Sequence, residues 1–595
     1  MTQEIQGFER NNELRLVNNP DQNNFFKFVG KKLKSKTAIP ALKGPNGEVH
    51  TDSISKSNCF LVMFSSVFVA DNGLLPTFSR RVPAGVNIPE LIISQRLVHK
   101  ALSNFKSKFS RTPDGFPSAF IHQIVDFVVE PVSRIYEVSY QTGSLPLDWR
   151  TGLIAPVFKK GAPSEPLNYR PVSLTSYFCK GMEKLICSHI LKFLYDHGLL
   201  TPHQHGFLSG KSCDTALLES VLDWTLAIRH KNSVDVIFLD FKKAFDSVGH
   251  AKLLFKMERY GLGGKLLEWV RAFLTERRHM VSLEGVVSNE ARVGSGVPQG
   301  SVLGPILFVL FVNDIPDVVE NTNVKLKLYA DDVKLYAEIE NSDGHIEIQE
   351  ALRRISEWAA EWQLSLAIPK CKALTISHNR FPPIYPYSLF ESELDRVEQF
   401  RDLGVIVNSR LNFSQHCLEI SRKAFIRVNL LFRIIKHLDF HYYITAYKTY
   451  VRPIVETCSV VWAPWTERDV SVLEAVQRSF SFRLFRKFNC PYSGYLYRCR
   501  ICGLESLKTR RLKLDLLFLF KLLHGYVRSG VTQFLRFDRS GLGLVPYYGT
   551  DRTAHVFPDR IVKCYNAIPE HIRQSTLVVF SEYLDKNIYV IIERY

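Results

Sequence analysis

Two stretches of alternating apolar residues flank Tyr329-Ala330-Asp331-Asp332, and this arrangement constrains the chain more than any other feature of its sequence. Before the box, Val324, Leu326, Leu328 and Ala330 alternate with Lys325, Lys327 and Tyr329; after it, Val333, Leu335, Ala337 and Ile339 alternate with Lys334, Tyr336 and Glu338. Successive side chains of a strand point to opposite faces, so this pattern predicts a β-hairpin with one buried face. Pairing 328 with 335 and 326 with 337 sets apolar residues opposite one another. A register shifted by two does the same, so the pattern defines the face and leaves the turn open. Taken alone, Asp331-Asp332 reads as a solvated acidic turn. Adjacent carboxylates repel, however, and holding both ionised at a hairpin tip makes sense if a divalent cation offsets their charge.

A third carboxylate shifts the balance. Residues 234–239, Val-Asp-Val-Ile-Phe-Leu, form a β-rich run that ends in Asp240. A carboxylate at the end of a buried strand is typical of sites built on α/β layers. Three hard oxygen ligands from two elements suit a pair of Mg²⁺ ions, with further oxygens drawn from substrate phosphates and water. That donor set suits phosphoryl transfer.

Further motifs stand in a fixed order along the chain: Trp149 to Phe158 followed by Lys159-Lys160-Gly161; Asn168-Tyr169-Arg170-Pro171-Val172-Ser173-Leu174; Gln204-His205-Gly206-Phe207; Phe238-Leu239-Asp240-Phe241 through Ala244-Phe245-Asp246; Gly296-Val297-Pro298-Gln299-Gly300-Ser301; and the Tyr-Ala-Asp-Asp box. In this order they resemble the reverse transcriptases of non-LTR (LINE-type) retrotransposons, with a jockey-like character, and the resemblance runs from about residue 20 to the C-terminus. Each motif alone is weak; their shared order carries the resemblance.

The resemblance implies a right-hand polymerase of the α/β (α+β) class. Residues 1–85 would be an N-terminal connector of the kind that follows an endonuclease domain, with no such domain expected before it. Residues 86–385 would be fingers and an antiparallel-sheet palm, 386–490 an all-helical thumb, and 491–595 a C-terminal helical region. It implies an RNA-directed DNA polymerase that uses two Mg²⁺ ions (or Mn²⁺), an RNA template, a DNA primer and dNTPs. Asp240 and Asp331 would bridge the metals, with Asp332 and Phe241 beside them. The turn itself would be Ala330-Asp331, with an unfavourable positive φ at Ala330.

The nucleotide would meet Lys159, Arg170, Phe245, Gln299, Gly300 and Lys370. Arg170 offers a bidentate fork and Lys159 a point charge, both suited to a triphosphate; the plainer readings are a buried salt bridge and a solvated loop. Phe245, five residues after Asp240, would pack beneath the sugar and exclude a 2′-hydroxyl; the plainer reading is a core aromatic. Gln299 would lie against the nucleotide, and Lys370 would protonate pyrophosphate, although Ala367 stands where the family usually has Asn. Leu403-Gly404 would belong to a primer grip in which Asp402 replaces the usual Tyr.

Helical patterns complete the reading. One helix is expected from about Gly249 to Glu276 and another from about Gly344 to Leu364. Ala424, Val428, Leu431, Ile435 and Leu438 step by three and four, an apolar helical stripe with Arg422, Lys423 and Arg427 on other faces. Arg478, Arg483, Arg486 and Lys487 interleave with Phe480, Phe482 and Phe485, which suggests nucleic-acid contact through charge and stacking. Lys31-Lys32-Leu33-Lys34-Ser35-Lys36 reads as a basic turn-rich stretch. Cys499 and Cys502, with Cys490 upstream, could begin a zinc site, but no second Cys or His pair follows closely, which favours buried thiols.

The 595 residues carry 76 Lys and Arg against 59 Asp and Glu, a net charge of +17, which favours a polyanionic partner. No apolar run is long enough to span a bilayer, and the polar start is not that of a signal peptide. Eleven scattered cysteines do not form a disulfide-type framework, so an intracellular setting, nucleus or cytoplasm, is expected. The rival readings are a catalytically silent RNA-binding relic or host protein, a viral RNA-dependent RNA polymerase, and a group II intron maturase.

Overall fold

The computed structural model describes residues 2–593 other than 19–24, 26–27, 29–38, 45, 108, 110–111, 340–342, 492–493, 540, 542 and 548–554. The basic stretch Lys31 to Lys36 lies outside the described residues. The longer strands, in chain order, are β1 (Thr151–Phe158), β2 (Tyr169–Leu174), β3 (Ser233–Leu239), β4 (Arg278–Leu283), β5 (Lys325–Tyr329), β6 (Asp332–Ile339) and β7 (Lys372–Ile376), with the two-residue edge strand β8 (Asp395–Arg396).

β3 is the centre of a five-stranded sheet of order β8-β7-β3-β6-β5. It is buried along its whole length, and its side chains divide by period two between two cores. Ile237 and Leu239 join Leu326, Leu328, Val333 and Leu335 in one core; Val234, Val236 and Phe238 join Tyr336, Leu374 and Ile376 in the other. The charged residue within β3, Asp235, is paired with Thr375, Tyr387 and Arg396, as a buried carboxylate requires. The sheet is antiparallel except that β7 and β8 run parallel. A second, mixed sheet sets the β1–β2 hairpin beside β4, which runs parallel to β1.

The helix expected from Gly249 to Glu276 is two helices, His250–Arg259 and Gly264–Thr275, because Gly261 adopts φ +78° and breaks the run. The later helix spans Asp343–Glu361. The apolar stripe lies on helix Ser414–Ile434, and its five residues are all buried, Ile435 and Leu438 just beyond the helix end. These residues share their core with helices Glu467–Lys487 and Leu507–Leu523, so no core boundary falls near residue 490. The part from 386 opens with short strand pairs, Ser388–Leu389/Ser392–Glu393 and Gln399–Asp402/Val405–Asn408, before its helices begin at Ser414, and it later contains the strand pair Arg536–Phe537/Leu544–Val545.

Residues before 86 do not form one body of their own. Helix Thr2–Asn18 docks on the C-terminal helices: buried Glu13 accepts from the Lys436 and His437 N–H groups, and Tyr450 donates to the Leu16 carbonyl at 2.7 Å. Helix Ser53–Ser65 instead covers the mixed sheet, with Phe60 packed edge-on to Tyr169.

Candidate active site

The hairpin takes the register shifted by two from the 328–335 pairing. Leu328 faces Val333, Leu326 faces Leu335, and the turn is Ala330-Asp331. Ala330 adopts φ +56°, a conformation that crowds its Cβ and is usually left to glycine. Gln204 holds it there. Its Oε1 accepts from the Ala330 N–H at 3.0 Å and the Gly206 N–H at 2.7 Å, while Leu328 exchanges backbone bonds with His203 and His205. Gly206 is needed for this approach, since a Cβ there would stand 2.7 Å from the Ala330 nitrogen. The Gln204-His205-Gly206-Phe207 motif thus supports the acidic turn, a task that its sequence alone did not reveal. The available signal was a Gln two residues before a Gly; Gln204 is fully buried here, and its Oε1 takes its partners from backbone N–H groups.

Pairing of Val333 with Leu239 sets Asp332 alongside Asp240, so the three carboxylates meet at one end of the central sheet. Burial, then the charges of Asp331, Asp402 and Asp240, push Asp332 up to about 6. Burial and the Asp240 charge likewise raise Asp331, partly offset by Lys159 and Arg170. Lys159 and Arg170 reach this site from the ends of β1 and β2, where Arg170 pairs with Val157 and the Lys159 N–H bonds to Asn168. Both are exposed, and Arg170 makes no salt bridge among the described residues. Partial desolvation of the ammonium, then the Arg170 and Lys370 charges beside it, lower the Lys159 pKa. Lys370 Nζ lies 2.9 Å from Asp240 Oδ1.

The residues present fit divalent cations. The donors are all oxygen, the Asp240 charge raises the pKa of both Asp331 and Asp332, and an ammonium already sits against Asp240. Among the described residues no three His, Cys, Asp or Glu side chains are gathered closely enough to hold a metal by themselves. Further ligands would come from substrate phosphates and water. The Phe241 side chain is buried near Trp358, so only its backbone could join such a set.

Phe245 is half-buried, stacked on Phe308 at 4.3 Å and edge-on to Phe207 at 6.2 Å. Gln299 does not extend freely: its Nε2 donates to Asp246 Oδ1 at 2.8 Å, and its carbonyl accepts from the Ser173 N–H at 2.7 Å. Gly300 has φ +103°, and a Cβ there would stand 2.6 Å from the Ser173 carbonyl. The Gln299 loop is thereby pinned between β2 and the segment after Asp240.

A cleft between the acidic hairpin and the Gln399–Asn408 hairpin is lined by Asp240, Tyr329, Asp332, Lys370 and Leu403. Leu403 and Gly404 form its two-residue turn, both at positive φ. Asp402 is buried and paired with Lys334 Nζ at 2.6 Å, which accounts for a carboxylate at that position.

The basic helical residues lie elsewhere and none lines this cleft. Arg422, Lys423, Arg478 and Arg486 are exposed; Arg427 stands over the Phe25 ring and Arg483 over Phe432. Phe480 and Phe485 are buried in the core, so of the interleaved aromatics Phe482 is the exposed one. The helical period of 3.6 separates rings that look interleaved along the sequence. Cys499 and Cys502 are buried on helix Tyr495–Cys502, with Gln477 Nε2 3.7 Å from Cys499 Sγ.

Residues 157–407 match the family described as Reverse transcriptase (RNA-dependent DNA polymerase). The chain is 30% identical over 365 residues to the probable RNA-directed DNA polymerase from transposon X-element of Drosophila melanogaster, covering 58% of this chain and 39% of that protein. It is 27% identical over 412 residues to the RNA-directed DNA polymerase from mobile element jockey of the same organism, covering 66% and 44%. A third relative, the probable RNA-directed DNA polymerase from transposon BS, is 26% identical over 414 residues, again covering 66% and 44%. The matched region spans less than half the length of each of these relatives.

Proposed function

We propose that this chain, which belongs to the reverse transcriptases of non-LTR retrotransposons, is an RNA-directed DNA polymerase that adds dNTPs to a primer 3′-hydroxyl on an RNA template. The observation that carries this reading is the meeting of Asp240 with the Asp331-Asp332 turn, opposite the cations Lys159, Arg170 and Lys370. In this reading the central sheet is the palm, the mixed sheet the fingers, and the helices from Ser414 the thumb.

Asp240 and Asp331, with Asp332 in support, would hold two divalent ions. Bound there, the ions would supply charge neutralisation and a lowered pKa for the attacking hydroxyl. The chain's own part is positioning and charge stabilisation, since phosphoryl transfer leaves little covalent chemistry to a protein. Arg170 and Lys159 would bind the triphosphate, a fork and a point charge on the two strands of one hairpin. Lys370, whose Nζ lies beside Asp240, would be the group that donates a proton to the leaving pyrophosphate. Phe245, backed by Phe308, offers a flat apolar wall with no partner for a ribose 2′-hydroxyl. Gln299 would present its backbone and amide stem, held by Asp246, to the nucleotide.

The deciding experiment is primer extension by the purified chain on RNA and DNA templates with Mg²⁺ or Mn²⁺. Metal-dependent extension on RNA is expected. A chain that binds RNA yet extends no primer with either metal would instead be a silent RNA-binding relic.

A further inference from the structure

The region after residue 491 takes no part in the site described above, yet one of its segments reaches the acidic hairpin through a single buried carboxylate. Glu219, on helix Cys213–Arg229, is 3% exposed. Its Oε1 accepts from the Ser529 hydroxyl at 2.6 Å and the Gly530 N–H at 2.7 Å. Its Oε2 accepts from Lys327 Nζ and lies 3.5 Å from His205 Nε2.

Both partners on the Oε2 side lead to the turn. Lys327 is on β5, three residues before Ala330, and His205 follows Gln204, whose Oε1 holds the Ala330 amide. A buried carboxylate is costly unless each oxygen is paired, so Glu219 keeps three segments distant in sequence at fixed separations. If the donors of Ser529 and Gly530 are removed, Oε1 is left unpaired in the interior. The carboxylate must then turn or take up water, and its grip on Lys327 loosens.

We propose that Glu219 makes the Ser529-Gly530 segment a positioning element of the Ala330-Asp331 turn, so that the C-terminal region supports polymerisation without touching substrate. Its kinetic consequence rests on the polymerase reading; its structural consequence does not.

The test uses the full chain carrying Ser529→Ala with Gly530→Pro, which removes both donors. Proline suits residue 530, the first of a 3₁₀ turn, because Ser529 before it is extended at φ −153°, ψ 146°. Amide hydrogen exchange across residues 325–332 should quicken about tenfold or more at Ala330. Primer extension should show kcat reduced about tenfold with KM for dNTP within about twofold, the sign of a group that acts on the reacting geometry rather than on binding. Ser529→Thr, which keeps the hydroxyl, should behave as the unaltered chain. Unchanged exchange at Ala330 overturns the proposal, and so does unchanged kcat when exchange has risen. If the unaltered chain extends no primer, the polymerase reading fails while the exchange result still decides this one.

Discussion

At the residue scale, the carboxylates and Phe245 carry the sharpest expectations. Asp240→Asn or Asp331→Asn should reduce primer extension by at least about a hundredfold with little change in melting temperature, since each removes a charge and no packed surface. Extension at a near-normal rate in Mg²⁺ would refute the metal assignment. Phe245→Val should favour ribonucleotide incorporation about tenfold or more relative to deoxynucleotide. It should also lower stability by about 0.5–1.5 kcal/mol through the lost stack on Phe308. Single-nucleotide incorporation and melting, measured together, separate the two effects, and an unchanged ribo-to-deoxy ratio would leave Phe245 a core aromatic. Asp246 offers a pH test. Burial holds its carboxyl at about 6 against an ordinary 3.8. The folded state therefore binds the proton more tightly than the unfolded one, and stability falls as pH rises from about 4 to about 6, by up to about 3 kcal/mol. Asp246→Asn keeps an acceptor for Gln299 and should remove that fall. Denaturant unfolding of both forms at pH 4.5 and 7 would show the variant gaining relative stability at the higher pH; parallel curves would contradict it.

At the element scale, the acidic hairpin is a strained turn kept in place by its neighbour. The alternating pattern of residues 324–339 made the hairpin and its buried face legible. It could not select the turn, because a shift of two residues restores the same faces. The selection comes from Gln204 and Gly206, more than a hundred residues away in sequence. Gly206→Ala would place a methyl 2.7 Å from the Ala330 nitrogen and push the turn out of position. A loss of kcat of about tenfold or more is expected, with dNTP KM little changed. Wild-type kinetics in this variant would show that the turn does not depend on the motif. The two helices found where one was expected make the same point: the apolar period continues across Gly261, and only its positive φ ends the first helix.

At the scale of the whole molecule, the back of the central sheet and the C-terminal helices share one core. Phe238, Tyr336 and Leu374 pack with Val428, Leu473 and Phe520. Cutting the chain before residue 410 would expose that surface, so nucleic-acid binding is better probed by substitution. Arg422→Ala, Lys423→Ala, Arg478→Ala and Arg486→Ala combined should weaken RNA binding and reduce the slope of log affinity against log salt by up to about 3. An unchanged slope with an intact melting curve would remove these helices from the RNA path.

What the sequence by itself determined is what local pattern and motif order encode: a β-rich run ending in Asp240, strands of period two flanking Asp331, the buried helical stripe at Ala424 to Leu438, the basic balance and the resemblance to a polymerase family. Tertiary structure alone decided the hairpin register, the support of Ala330 by Gln204, the docking of Thr2–Asn18 on the C-terminal helices, and the burial of Phe480 and Phe485. The physical reason is common to all four. Periodicity records which face of an element avoids water, whereas register, hydrogen-bond partner and docking site depend on groups far off in the chain, whose pairing leaves no local trace.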